Sequence, residues 1–400
     1  MDMEYAFMHR EFEDAGLEHF SGTKVHGSAA TSVLTPADFA AATAEISSWE
    51  RYEPTPLYHL ADLAKQLGVR DILYKDEAPR FGLCSFKALG GAYAGLRVIQ
   101  REISERLGRE VPSSEIRSGT LADEISSVTL TSATDGNHGR SLAWGAQKFG
   151  AACRIYIHQF VSEGRAQAMR DYGAEVVRVN ADYDETVRVV RRESEENGWF
   201  VVSDTSWEGY SQPPTDVMAG YGVMVDEICA EISDAPTHMF IQAGVGGLAA
   251  AVTARLRQKM GDATRIIVVE PEVAACLFAS GKTGNATTVP IHEETLMAGL
   301  SCGQPSELAW KILNEEVSDF LTIPESIVGP AMRLAANPIG DDPRIEAGES
   351  AICGLAALVL AAQCPDFKNK LGLDQNSSVL LIGSEGATDP VIYEKIMRAE

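Results

Sequence analysis

From about residue 71 onward, short runs rich in Val, Ile and Thr alternate with longer stretches of helical period. That alternation constrains the fold more than any other feature, because strands that recur between helices pair in parallel through crossover connections. Strands are predicted at 71–75, 128–134, 152–157, 175–179, 200–202, 239–243, 265–269 and 378–383, with helices near 138–149, 162–172 and 183–197. The middle block reads as a small domain of its own. No Gly/Ser linker, repeat or low-complexity tract separates it from the rest, so a second domain is expected as an insertion rather than beside the first. Residues 1–50 show no clear period and read as surface helix and loop.

At 400 residues the chain is long enough for two or three domains, and 45% hydrophobic with 23% charged residues is the composition of an ordinary soluble protein. Lys and Arg total 34 against 57 Asp and Glu, a formal charge of -23. Such a field repels phosphate backbones and anionic headgroups, so neither nucleic acid nor a membrane is expected as a partner. Seven scattered cysteines without a C-x-x-C pair argue against a disulfide framework and a zinc site, and eight histidines without H-x-x-x-H spacing add no metal signature. The start Met-Asp-Met-Glu-Tyr lacks a secretory pattern, and the expected location is the cytoplasm.

Three segments carry chemistry. The strand at 239–243 runs into Gly244-Val245-Gly246-Gly247-Leu248-Ala249, a G-x-G-x-x-[G/A] pattern with an acidic residue, Glu270, 26 positions past Gly244. This matches a dinucleotide fingerprint, yet the glycines guarantee only that backbone N–H groups approach a phosphate at a helix start. Any phosphorylated cofactor fits, and so does a tight turn without a ligand. The second segment is Ser85-Phe86-Lys87-Ala88-Leu89-Gly90-Gly91. Its lysine sits among apolar neighbours, where burial makes an amine nucleophile or Schiff-base partner, although a lysine at a helix start is commonly just solvated. The third, Thr131 to Gly139, follows a strand and opens a helix. It suits either a substrate carboxylate or plain turn and N-cap chemistry.

A Schiff-base lysine, a carboxylate loop and a glycine phosphate loop, in that order along an α/β chain, are what pyridoxal 5′-phosphate requires. The chain resembles the fold-type II pyridoxal phosphate enzymes, and within them the diaminopropionate ammonia-lyase branch. The resemblance rests on 74–94, T-D-G-N-H-G-R (134–140), D-T-S-W-E-G-Y (204–210), Q-A-G-V-G-G (242–247), M-A-G-L-S-C-G (297–303), 337–350 and S-E-G-A-T-D (384–389). It implies that Lys87 carries the cofactor, with Phe86 beside it and Asn137 on its phenolic oxygen. It also implies that Gly244, Val245, Gly246, Gly247 and Leu248 cradle the phosphate and that the Ser384 hydroxyl meets the pyridine nitrogen. Thr134, Asp135, Gly136, His138, Asp204 and Glu349 fall at positions near the substrate, an amino acid.

Dehydratases of this family usually carry a hydroxyl residue where this chain has Asp135. A carboxylate there suits a cationic amine leaving group and proton transfer at the substrate carbons, the alternative being an N-cap that faces away. The resemblance thus implies elimination of ammonia from 2,3-diaminopropionate, with a serine, threonine or hydroxyaspartate dehydratase as the near rival and a non-catalytic nucleotide-binding protein as the distant one. The expected architecture is an α/β protein of two domains, with open twisted sheets flanked by helices. A large cofactor domain of 1–92 and 204–400 would carry a small inserted domain of 93–203, with the site in the cleft between them. Homodimers are usual in the family. Cys276 and Cys302 lie on two loops that border the site in the family, which places them within bridging distance as an expectation.

Overall fold

A computed structural model describes Phe12 and residues 15–25, 27–134, 136–181 and 183–398. Among them are eleven strands: β1 (Glu18–Ser21), β2 (Leu57–His59), β3 (Asp71–Asp76), β4 (Thr129–Ala133), β5 (Ala152–His158), β6 (Glu175–Val179), β7 (Phe200–Val201), β8 (His238–Gln242), β9 (Arg265–Pro271), β10 (Asp319–Ile323) and β11 (Ser378–Gly383). They form a seven-stranded sheet in the order β1-β10-β9-β8-β11-β3-β2 and a four-stranded sheet in the order β6-β5-β4-β7. The chain divides into two compact units. One holds the described residues up to Pro36 with Glu53–Ser85 and Met224 onward, and the other holds Ala37–Tyr52 with Phe86–Val223.

In the second unit the four strands are all parallel. Two helices, α1 (Lys87–Leu107) and α2 (Asn137–Phe149), pack together there through small residues. A Cβ at Gly145 of α2 would lie 2.7 Å from the Ala92 Cα of α1, and one at Gly91 would lie 2.6 Å from Ser141 Oγ. The helices therefore meet backbone to backbone, and no side chain larger than hydrogen fits at Gly145. The segment read as surface is partly core. Helix Pro36–Ile46 buries Phe39, Ala42 and Ile46 completely, and a Cβ on Gly222 would collide with the Phe39 ring at 2.2 Å. The apolar positions of 36–46 are too few and too interleaved with alanine to show a period, which hid this face.

In the first unit the inner strands β8, β9, β10, β11 and β3 run parallel and the outer two, β1 and β2, antiparallel. All residues of β8 and β11 are buried, as expected of parallel strands covered on both faces. The covering helices include α3 (Gly247–Met260), α4 (Cys276–Thr283) and α5 (Cys353–Gln363). Among the described residues no helix is long and apolar enough to cross a membrane.

The loop that leaves β3 is organised by a buried charge cluster. Arg80, 1% exposed, donates from Nε to Glu77 at 2.8 Å, from Nη1 to Glu227 at 2.8 Å, and from Nη2 to Thr55 Oγ1, Glu77 and Glu227 at 3.0, 2.8 and 2.7 Å. Lys75 Nζ donates to the Thr55 carbonyl at 2.6 Å and pairs with Glu227 at 2.7 Å. Two cations thus face two carboxylates, the only balance that buried charge of this density tolerates.

Glu270, near the end of β9, has a different task from the one its spacing suggested. Its carboxylate accepts the backbone N–H groups of Leu277 at 2.8 Å and Phe278 at 2.6 Å, and so caps α4. With its oxygens committed to a helix terminus, it does not serve as a ribose ligand.

Two outcomes are expected. Gly145→Ala should cost about 1–3 kcal/mol, because backbone rather than a flexible side chain must move. An unchanged urea midpoint would contradict the packing. Burial pushes Glu270 from 4.5 up to about 8, although its two backbone donors pull the other way. The native state therefore holds a proton that the unfolded chain releases, and Glu270's contribution to stability falls as pH rises from 4.5 to about 8. The melting temperature of wild type minus that of Glu270→Gln should decline across this window. A flat or rising difference would show that Glu270 stays ionised.

Candidate active site

Lys87 is the first residue of α1, and the loop before it is strained. Phe81 and Cys84 adopt positive φ of 52°, a region that non-glycine residues avoid. Ser141 of α2 locks the helix start in place: its hydroxyl donates to the Lys87 carbonyl at 2.6 Å and accepts from Ala92 N at 3.1 Å. The Lys87 ammonium donates to Asp204 Oδ2 in a short ion pair, with the two side chains 20% and 17% exposed. It also lies 5.3 Å from the centre of the Phe86 ring and 5.9 Å from that of Tyr221. Burial opposes charge on Asp204, but Lys87 and then His138 outweigh it and hold the carboxyl below the usual range. Burial pushes the Tyr221 phenol up.

The segment that presents Asp204 is pinned at each peptide around it. Tyr210 Oη donates to the Val201 carbonyl at 2.9 Å and accepts from Ser203 N at 3.0 Å. Ser203 Oγ accepts from Thr205 N at 3.1 Å, and His138 Nε2 donates to the Val202 carbonyl at 2.8 Å. Through His138 the loop after β4 joins the same cluster. In that loop Thr134 Oγ1 accepts from Gly136 N at 3.1 Å and Gly139 N at 3.2 Å, and Asn137 opens α2. Gly139 is obligatory, since a Cβ there would lie 2.4 Å from Thr134 Cγ2 and 2.6 Å from Met169 Sδ. Asp135 lies outside the described residues.

The remaining expected residues belong to the other unit. Between β8 and α3, Gly246 has φ +97° and caps the helix without a side chain. The first N–H groups of α3 therefore have no intrahelical acceptor. Val245 is anchored through its carbonyl, which accepts from Ser306 N at 2.9 Å. A Cβ on Gly244 would approach Cys302 Sγ at 3.0 Å and Gly299 O at 3.2 Å. Gly299 N in turn donates to Ser350 Oγ at 3.2 Å, and Ser350 N donates to Glu385 at 3.1 Å. The buried Glu349 is thus carried on a segment tied to the residue that follows Ser384. Ser384 Oγ accepts from Gln242 Nε2 at 2.8 Å. Cys276 and Cys302 are thiols, not joined in a disulfide, and both face Gly244, Cys276 Sγ at 3.7 Å from its carbonyl. Among the described residues no group of three or more His, Cys, Asp or Glu side chains could hold a metal ion.

Sequence reasoning brought Lys87, Phe86, His138 and Asp204 to the site but gave no role to Tyr210, Tyr221, Ser141 or Gln242. Tyr210 and Gln242 sit inside the very segments that carry the resemblance, so their positions were within reach. Nothing local marks Ser141 or Tyr221, whose partners are set by helix packing.

Residues 49–384 match the family model described as "Pyridoxal-phosphate dependent enzyme". The diaminopropionate ammonia-lyase of Escherichia coli K12 is 38% identical over 353 residues, 86% of this chain and 87% of that protein. The enzyme of the same name from Salmonella typhimurium is 36% identical over 360 residues, covering 86% and 88%. The crystal structure of the E. coli lyase with an aminoacrylate–pyridoxal phosphate reaction intermediate superposes with a TM-score of 0.86 at 36% identity, across 96% of this chain and 97% of that one. On this likeness, which spans nearly the whole fold, the chain belongs to the pyridoxal-phosphate dependent enzymes and, within them, to the diaminopropionate ammonia-lyase family.

Proposed function

We propose that this chain eliminates ammonia from 2,3-diaminopropionate, the resulting aminoacrylate adding water to give pyruvate and a second ammonia. The observation that carries the reading is the Lys87 ammonium held at a helix start by the half-buried Asp204 carboxylate, beside the rings of Phe86 and Tyr221. The residues present also fit the cofactor. No side chain caps the start of α3, whose first N–H groups lack intrahelical acceptors, and a neutral hydroxyl stands at Ser384.

Pyridoxal phosphate, when bound, supplies the electron sink that makes the substrate α-hydrogen acidic. Lys87 and Phe86 hold its ring, Asn137 its phenolic oxygen, Gly244–Leu248 its phosphate and Ser384 its ring nitrogen. Thr134, Gly136 and His138 orient the substrate carboxylate, with Glu349 near the amino acid. Asp204 holds the Lys87 side chain in place at the start of α1. As a neutral amine, Lys87 would take the Cα proton of one enantiomer. Asp135 pairs with the cationic β-amine and takes the Cα proton of the opposite enantiomer. The dehydratase alternative is weaker because dehydratases are the more distant relatives. We also take the enzyme to be a cytoplasmic homodimer, a point that light scattering and cell fractionation decide.

The first test is a substrate panel with pyruvate detection. Diaminopropionate should exceed serine, threonine and hydroxyaspartate in kcat/KM by about 100-fold or more, the discrimination a paired charge provides. Comparable rates on the hydroxy amino acids would establish a dehydratase. Borohydride reduction of the holoenzyme should label Lys87 alone on peptide mapping, and label on another lysine would end the assignment. Asp135→Asn should retain cofactor and lose about 100-fold in turnover of one enantiomer, with far less loss for the other. Equal, small losses for both would make Asp135 a structural cap.

A further inference from the structure

Gln242 and Ser384 close the carboxyl ends of two neighbouring parallel strands. Gln242 is the last residue of β8 and Ser384 follows β11 directly, the two strands pairing from Val379↔His238 to Leu381↔Phe240. Both side chains are enclosed, with Gln242 1% and Ser384 3% exposed. Gln242 Nε2 donates to the Ile382 carbonyl at 2.7 Å and to Ser384 Oγ at 2.8 Å. A carbonyl can only accept, so the first bond settles which end of the amide faces β11. The second hydrogen of the same nitrogen then occupies a lone pair of the Ser384 oxygen. A hydroxyl has one proton, and Ser384 must direct it away from Gln242.

We propose that Gln242 is a positioning residue that fixes Ser384 as a hydrogen-bond donor toward the cofactor's ring nitrogen. The inference rests on the placement of Ser384 given above and adds the device that sets its polarity. A donor hydroxyl is complementary only to an unprotonated pyridine, and Gln242 brings no charge that could protonate it. Gln242 thereby keeps the ring nitrogen neutral, which moderates the electron sink and favours elimination over transamination. The rest of the Gln242 environment agrees with a role outside folding. Its Oε1 is buried with no hydrogen-bond partner among the described residues, so the amide is satisfied on its nitrogen side alone.

Gln242→Met tests this in the intact holoenzyme reconstituted with pyridoxal phosphate labelled with 15N at the pyridine nitrogen. The apoprotein should fold, its melting temperature lowered only by the loss of the donor to the Ile382 carbonyl. The 15N resonance should move toward that of Ser384→Ala, and the cofactor dissociation constant should rise by about tenfold, the worth of one neutral hydrogen bond. In a Ser384→Ala background Gln242→Met should change neither quantity further. A folded Gln242→Met with wild-type 15N shift and affinity would overturn the inference, as would effects that simply add to those of Ser384→Ala. If Gln242→Met does not fold, Gln242→Glu carries the same readouts, since its oxygen accepts the Ser384 proton and reverses the hydroxyl. A wild-type chain that takes up no pyridoxal phosphate would overturn the proposed function together with this inference, whereas an insensitive variant of a cofactor-binding wild type overturns this inference alone.

Discussion

The Arg80 guanidinium is removed from solvent, and the conformation of the loop from Glu77 to Ser85 depends on it. The loop from Glu77 to Ser85 contains three residues of positive φ, two of them not glycine. Such backbone persists only where its surroundings over-determine it. Here they do: Glu77 and Glu227 grip Arg80 from two sides, Glu77 N donates to the Gly383 carbonyl at 2.8 Å, and Gly386 N donates to the Cys84 carbonyl at 3.1 Å. Removing either carboxylate leaves a cation buried without its counter-charge, a far larger cost than the pair's own net gain. The strained loop is therefore held by electrostatics that the hydrophobic core alone cannot supply, and the helix that begins with Lys87 starts where that loop ends.

Two carboxylates, one half-buried and one fully buried, show how environment divides labour within one chain. Asp204 meets an ammonium and an imidazole and stays below the usual range, whereas Glu270 meets backbone N–H dipoles and the Cys276 thiol and is pushed up to about 8 by burial. Burial opposes ionisation in both, and the presence of a full positive charge decides the outcome. The first arrangement stores charge beside a reactive amine. The second caps the start of a helix, and its position 26 residues past Gly244 is a coincidence of spacing that imitated a dinucleotide site.

The interior of the fold was legible because parallel strands covered on both faces read as unbroken apolar runs. β11, buried throughout, falls at the predicted bounds of 378–383, and the edge strand β6 falls at 175–179. Three strands were not visible. β1 and β2 are four and three residues long and lie at the sheet edges, where pairing with a neighbour rather than internal pattern makes a strand. β10 opens with Asp319, a polar residue that stays buried because His19 Nε2 at 2.8 Å and Arg265 Nε at 2.6 Å compensate it. Neither partner is near it in sequence. For the site, the glycine loop, the lysine segment and the Asn-His loop were readable because each needs particular residues within a few positions of one another.

The sequence by itself determined the class of fold, the order of the chemical segments and the family, since periodicity, glycine placement and motif spacing are properties of short stretches of chain. Only the tertiary structure decided which polar groups meet. Lys87 finds Asp204 117 residues away, and Gln242 finds Ser384 142 residues away. No local pattern encodes such pairs, because strand order and the backbone contact of two helices set them. In water each of these groups would be satisfied by solvent, and burial removes that alternative, so the surrounding packing and not the composition selects the partner.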